Sequence, residues 1–339
     1  MSIWSFQSLQ LSCPRDLRFY LRSCLSRDVC PNSTPNTTLL LEPSIAAGVY
    51  SAIKLLTVTG FLRRGHLQSL PNDEHQRNVK LPVHDRALLL HGCKRNDVLS
   101  LSEIEQYGLE SFANADYVSI YGMPPREWYG CGIRLLGRTG VECTRDPLGD
   151  RIGRDVASVA RRMPSERLVV IDPFAGSCNT LFWILRHLPN SEGIAFESDP
   201  QVFDLTHRNL AILGQRIELL KGDYARLLQR CRVPEHRGVV AFIAPPWGTA
   251  LDEAQGLDLR RTSPPVGEVI DQVACQFPRH NILFAMQIYE KVSTPSLTEV
   301  QARLDWTELH IYDINEKGQN HGIVLGSKGW TPSDRGGNL

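Results

Sequence analysis

Four short stretches of the sequence carry residue types that could hold a small ligand and set it up to react. Residues 168–180 read LVVIDPFAGSCNT, an apolar run that ends in Asp172, turns at Gly176 and opens a helical pattern at Asn179 and Thr180. An acid and a tight turn ahead of a helix offer one bound molecule a carboxylate, backbone N–H groups and the positive end of the helix dipole. The next apolar run, EGIAFE, ends in Glu197, where a carboxylate can accept both hydroxyls of a ribose. IELLKGD ends in Asp223, where an acid could meet an adenine amine, and FIAPPWG closes a fourth run with Ala244, Pro245, Pro246 and Trp247. Each piece alone has a plain reading: a turn glycine, an acid welcoming a helix N-terminus, a proline pair that stops a strand. Four successive strand ends bearing D-x-F-x-G, E, D and P-P-W are not covered by those readings together.

The elements that position these residues follow from periodicity. From about residue 150, DRIGRDVASVARRM reads as an amphipathic helix, and then strands alternate with helices: LVVID, NTLFWILRHL, EGIAFE, DPQVFDLTHRNLAILG, IELLKGD, VVAFIAPPW, PVGEVIDQVACQF and NILFAMQIY. Such alternation predicts a parallel sheet with right-handed crossovers, covered on both faces, with ligands off the carboxyl ends of its strands. TELHIYDI and HGIVLGSKGW, joined by NEKGQN, break the rhythm and predict an antiparallel hairpin at the edge. The expected fold is α/β, a Rossmann-like sheet over 151–335 with a C-terminal antiparallel hairpin. A connecting segment at 121–150 and a mixed, mostly helical accessory domain at 1–120 precede it. In the accessory part, Ser102 with Glu105 three residues on reads as a capping box, and residues 44–62 as a buried helix rather than a membrane span.

The bulk numbers exclude several classes. The chain has 339 residues, 42% hydrophobic and 22% charged, with 37 basic against 37 acidic side chains, so the basic excess usual in proteins that live on nucleic acid is missing. Nine cysteines, an odd number without a C-x-x-C pair, argue against a zinc ribbon or a disulfide framework and for a reducing, cytoplasmic setting. No metal site and no signal peptide are expected. A dinucleotide dehydrogenase would want G-x-G-x-x-G after its first strand and a phosphate loop would want G-K-[ST]; neither is present.

DPFAGSCNT with APPWG resembles the class I methyltransferases that use S-adenosylmethionine, over roughly residues 150–330, and within them the amino-methylating branch whose fourth strand ends in [DNS]-P-P-[YFW]. The motifs look most like the RNA cap guanine-N2 methyltransferases, the trimethylguanosine synthase group, and GIRLLGRTGVECTRDPLGDRIGRDVASV is similar to the segment that precedes the first motif there. The resemblance implies S-adenosylmethionine as cofactor. By it, Asp172 and Gly176 lie along the methionine part, Glu197 on the ribose, and Asp223 with Tyr224 by the adenine. Pro173, Phe174, Asn179, Thr180, Ser198 and Ala244 complete the cofactor set, and Pro245 to Trp247 lie at the acceptor nitrogen. Two departures stand out: Cys178 where the pattern has a second glycine, and Ala244 where it has a polar residue able to accept from the substrate N–H.

Methyl transfer from a sulfonium is an in-line displacement, so the site must chiefly hold a nucleophile on the S–C axis. An alkyl amine must also lose a proton, for which a carboxylate would be useful. The long loop after Trp247, GTALDEAQGLDLRRTSPP, supplies Asp252, Glu253 and Asp258 as candidates, and the hairpin loop supplies Glu316 and His321. Acidic loop residues and a neutral chain favour N-methylation of a small-molecule amine, with amino sugars or aminoglycosides as the leading subclass and the N-terminal domain as a lid or protein-docking module. Guanine-N2 methylation of RNA is the second reading. A cofactor-binding scaffold without activity is the third.

Overall fold

The computed structural model describes residues 85–332, apart from 166, 253 and 315–320. Among the described residues five helices precede the sheet: α1 (Arg86–Leu90), α2 (Leu101–Phe112), α3 (Pro125–Gly130), α4 (Gly137–Glu142) and α5 (Asp146–Ala160). Then β1 (Leu168–Asp172), α6 (Asn179–His187), β2 (Glu192–Glu197), α7 (Pro200–Leu213), β3 (Ile217–Lys221), α8 (Tyr224–Leu228) and β4 (Gly238–Ile243) follow in alternation. A miniature hairpin of β5 (Leu251–Asp252) and β6 (Gly256–Leu257) precedes α9 (Val266–Gln276), β7 (Ile282–Tyr289), α10 (Thr294–Gln301), β8 (Trp306–Tyr312) and β9 (His321–Lys328).

Seven strands form one sheet in the order β3-β2-β1-β4-β7-β9-β8. β3, β2, β1, β4 and β7 are parallel, while β9 pairs antiparallel with both β7 and β8. The hairpin expected at the edge is therefore inserted strand-first: β9 enters beside β7 and β8 takes the outside. Composition explains the choice, because HGIVLGSK is buried at six of eight positions whereas β8 exposes Glu308, Leu309 and Ile311. The strand order doubles back between β1 and β4, which opens a crevice at their carboxyl ends.

Period-two alternation divides each central strand between two cores. Val170 of β1 packs with Leu148, Ile152 and Val156 of α5 and Leu181 and Ile184 of α6. Val169 and Ile171 face Val266, Val269, Ile270 and Val273 of α9 on the other side. A third cluster joins Leu89, Leu99, Ile104, Tyr107, Trp128, Ile133 and Leu135 to Phe182 of α6. Residues Leu81–Leu339 accordingly form one compact unit, and the domain edge expected at residue 120 falls inside it. The apolar faces of α2 and α3 bury in this third cluster, which joins the sheet domain through Phe182 of α6.

α2 also starts earlier than the S-x-x-E reading at Ser102. Ser100 is the N-cap, its N–H donating to Glu103 Oε2 at 2.8 Å, and Glu103 N–H donating back to Ser100 Oγ at 3.4 Å. The same spacing occurs at both places, and the earlier start puts Ile104, Tyr107 and Gly108 on the buried face. Glu105 instead faces Arg126 at 3.1 Å. Residues 44–62, and the rest of the accessory part before residue 85, lie outside the described residues. Among those described, no helix is long and apolar enough to cross a membrane.

Candidate active site

The turn after β1 is built around Asp172 and Glu197. Asp172 is buried at the strand tip, where its Oδ1 accepts the Phe174 N–H at 3.0 Å. Burial pushes its carboxyl up to about 7, against the pull of that hydrogen bond, and the nearby Glu197 charge adds to the rise. Glu197 at the end of β2 accepts from Gly176 N–H through Oε2 at 3.0 Å and from Asp199 N–H through Oε1 at 2.7 Å. Burial raises its pKa too. Each oxygen still has a lone pair for a ribose hydroxyl. The helix-capping duty falls to Asp199, whose Oδ1 accepts from Gln201 and Val202 N–H at 2.9 and 3.1 Å. A buried and a half-buried acid, both held above their ordinary range, are complementary to a ligand that carries positive charge.

Gly176 adopts φ +49°, and no heavy atom lies within 4 Å of the place a Cβ would take, so the turn is open where a ligand approaches. Cys178 caps α6 in the same left-handed region, at φ 57°. The second glycine is thus dispensable at a conformational cost of about 1–2 kcal/mol. Pro173 and Thr180 are buried in the turn, and Ser198 is exposed beside Glu197.

The Asn179 side chain is committed to the segment behind the turn. Its Oδ1 accepts Tyr121 N–H at 2.7 Å, and its Nδ2 donates to Thr144 O at 2.7 Å and to Asp146 Oδ1 at 3.1 Å. Asp146 also accepts from Gly122 N–H at 2.9 Å and Trp183 Nε1 at 2.7 Å, and the Tyr121 hydroxyl donates to Ser177 O. Residues 121–146 thereby brace the turn from behind. Tyr121 and Asp146 carry no sequence signal of their own, because these contacts join positions 24 to 58 residues apart in the chain and leave no local period; the lead-in to β1 is the one signal near them.

Beyond the tips of β1 and β3, where the resemblance expects the adenine, the Phe174 and Tyr224 rings lie 5.0 Å apart at 53°. Asp223 is exposed and caps α8, accepting from Arg226 N–H at 3.2 Å.

On the far side of β1, β4 ends in Ala244 and buried Pro245. The half-buried indole of Trp247 stacks on the His321 imidazole, 5.5 Å between centroids at 26°, and meets the Tyr289 ring edge-on at 6.4 Å. Burial drives the imidazole down to about 4, with the Arg145 charge helping, so His321 is neutral at physiological pH. Tyr289 and His321 are register partners between β7 and β9, which is why the first residue of β9 lies beside the indole that follows β4.

Two of the loop acids are hydrogen-bonded within their own loop. Asp252 is exposed, and its Oδ1 accepts the Ala254 and Gln255 N–H groups of the β5–β6 turn at 2.8 and 2.9 Å. Asp258 is gripped by Arg260 at 2.9 and 2.7 Å, and that pairing holds its carboxyl below the ordinary range. Glu253 and Glu316 lie outside the described residues. Among those described, no three His, Cys, Asp or Glu side chains gather as metal ligands.

The strand order, the acid-glycine turn at β1, the acid that ends β2 and the P-P-W end of β4 together define a class I S-adenosylmethionine-dependent methyltransferase. Residues 167–326 match the model of a family described as RNA cap guanine-N2 methyltransferase. No curated protein matches the chain. Solved structures with a similar sheet include a precorrin-6Y C5,15-methyltransferase from Geobacter metallireducens, 16% identical over 54% of this chain and 89% of that one, TM-score 0.37. The METTL16 methyltransferase domain is 16% identical over 65% and 91%, TM-score 0.39. An rRNA methylase from Streptococcus thermophilus is 16% identical over 54% and 98%, TM-score 0.35. At this level of likeness they say nothing of the acceptor.

Proposed function

We propose that the enzyme methylates the exocyclic N2 amine of a guanine in RNA, of the cap type, with Trp247 as the platform on which the base stacks. The observation that carries this reading is the Trp247–His321 stack: a half-buried indole beside the end of β4 already lies against a flat neutral ring, the kind of platform on which a base stacks. The family match over 167–326 supports the same acceptor.

The chemistry suits it. A guanine amine is unprotonated at neutral pH, so no side-chain carboxylate has to free its lone pair before attack. Stacking and the carbonyls of Ala244 and Pro245 orient the nitrogen, and its proton leaves to water once the methyl has moved. The small-amine reading drew on Asp252 and Asp258, and both are committed to their own loop. With equal numbers of acidic and basic side chains, RNA is held at few phosphates, and its affinity should fall only gently as salt rises.

Nucleoside mass spectrometry after incubation with S-adenosylmethionine and a capped transcript tests the reading. N2-methylated guanosine is the expected product. Methyl transfer to an amino sugar, with none to guanosine, would refute it.

A further inference from the structure

One cation links the segment before β1 to the ribose acid. Arg138 of α4 places Nη2 2.6 Å from Asp199 Oδ2, with side chains 14% and 34% exposed. Arg138 is itself anchored, its N–H donating to Arg95 O at 3.0 Å. The other carboxyl oxygen of Asp199 caps α7, and the Asp199 N–H donates to Glu197 Oε1 at 2.7 Å. Glu197 in turn receives the Gly176 N–H at 3.0 Å. A continuous line of hydrogen bonds, charge-assisted at both carboxylates, therefore runs from Arg138 through Asp199 and Glu197 to the glycine of the cofactor turn. Arg138 Nε is buried with no hydrogen-bond partner among the described residues. Leaving that donor unmade is costly, so the guanidinium is placed for Asp199 and not for its own satisfaction.

We propose that Arg138 is a positioning residue for S-adenosylmethionine: it locks Asp199, and through the Asp199 backbone N–H it holds the Glu197 carboxylate in the orientation that meets the ribose hydroxyls. Arg138 lies outside the 167–326 match, so this part of the cofactor site is supplied by the preceding segment.

Charge adds a second consequence. Burial and the Asp199 charge raise the Glu197 pKa, and Arg138 lowers it. The other titratable groups coupled to this cluster are Asp172 and Cys178 beside Glu197, and Glu142 one turn along α4 from Arg138. Without Arg138 the neighbouring acids are uncompensated, so Glu197 keeps its proton to higher pH.

Calorimetric titration of the full chain with S-adenosylhomocysteine across the acid to neutral range reads both effects. Arg138→Gln is expected to weaken binding by about tenfold at neutral pH, the scale on which supporting hydrogen bonds behind a ligand-holding group act. It is also expected to move the acid limb of the affinity profile to higher pH, while Arg138→Lys, which keeps the cation, returns the limb toward the wild-type position. Asp199→Asn breaks the same link from the other side and should weaken binding at neutral pH as Arg138→Gln does, but without moving the acid limb to higher pH because it also removes the Asp199 charge, which keeps the proposal testable if the arginine variant does not fold. Unchanged affinity, an equal loss at every pH in Arg138→Gln, or a lysine variant no better than glutamine would each overturn it.

Discussion

Trp247 and His321 lie ring on ring, 5.5 Å between centroids and 26° between planes, although one follows β4 and the other begins β9. A histidine in that place is buried enough to titrate near 4. Its folded-state value is depressed, so the unfolded chain takes up the proton first as pH falls. Stability is lost from about pH 6.5 down to about 4, on the order of 2–3 kcal/mol. Replacing His321 by phenylalanine keeps a ring behind the indole and removes the titration. Urea midpoints measured near neutrality and in mild acid should diverge less for His321→Phe than for wild type; equal divergence would show that His321 is not buried as described.

Asp172 has the opposite sign. Its folded-state carboxyl holds the proton up to about 7, far above the ordinary value of 3.8. Stability from this group is present below the unfolded value and is lost as pH rises to about 7. Asp172→Asn should therefore be more stable than wild type at about pH 8, by on the order of 3 kcal/mol, and close to it in mild acid. It should also lose S-adenosylhomocysteine binding. Denaturation at the two pH values with a binding titration checks the pair of effects, and a variant destabilised at about pH 8 would contradict the assignment.

Asn179 offers a test of the brace. Its side chain makes three hydrogen bonds to residues 121, 144 and 146, and it is fully buried. Asn179→Ala strands those partners and should cost about 3 kcal/mol in denaturant unfolding. A loss of cofactor affinity with unchanged stability would mean that the side chain reaches the ligand after all.

Asp252 and Asp258 should matter little to turnover. Asp252→Asn with Asp258→Asn is expected to keep methylation of RNA within roughly threefold of wild type, the reach of a surface ion pair. Steady-state rates decide it, and a collapse of kcat would restore the loop acids to the chemistry.

Much of this site could be read from residue order alone, for a definite reason. In a parallel sheet the ligand sits off the strand tips, so Asp172, Glu197 and P-P-W announce themselves by ending apolar runs. Asp199 was ambiguous with Glu197 until the cap geometry separated them. Tyr121, Arg138 and Asp146 act across long stretches of chain, and no period or spacing marks such a contact. Asp252 and Asp258 show where spacing alone is silent, because a surface turn and a nearest-neighbour ion pair use the same residue types as an acidic substrate cradle. Inserting β9 ahead of β8 brought His321 to the acceptor side, a consequence of strand order and not of any local signal.

The most direct test of the whole account is Trp247→Ala, assayed for methyl transfer to a capped transcript alongside S-adenosylhomocysteine affinity. The account predicts that kcat/KM falls by at least about tenfold, the stacking of one base, while the affinity stays at the wild-type value. Full turnover in the variant would contradict it.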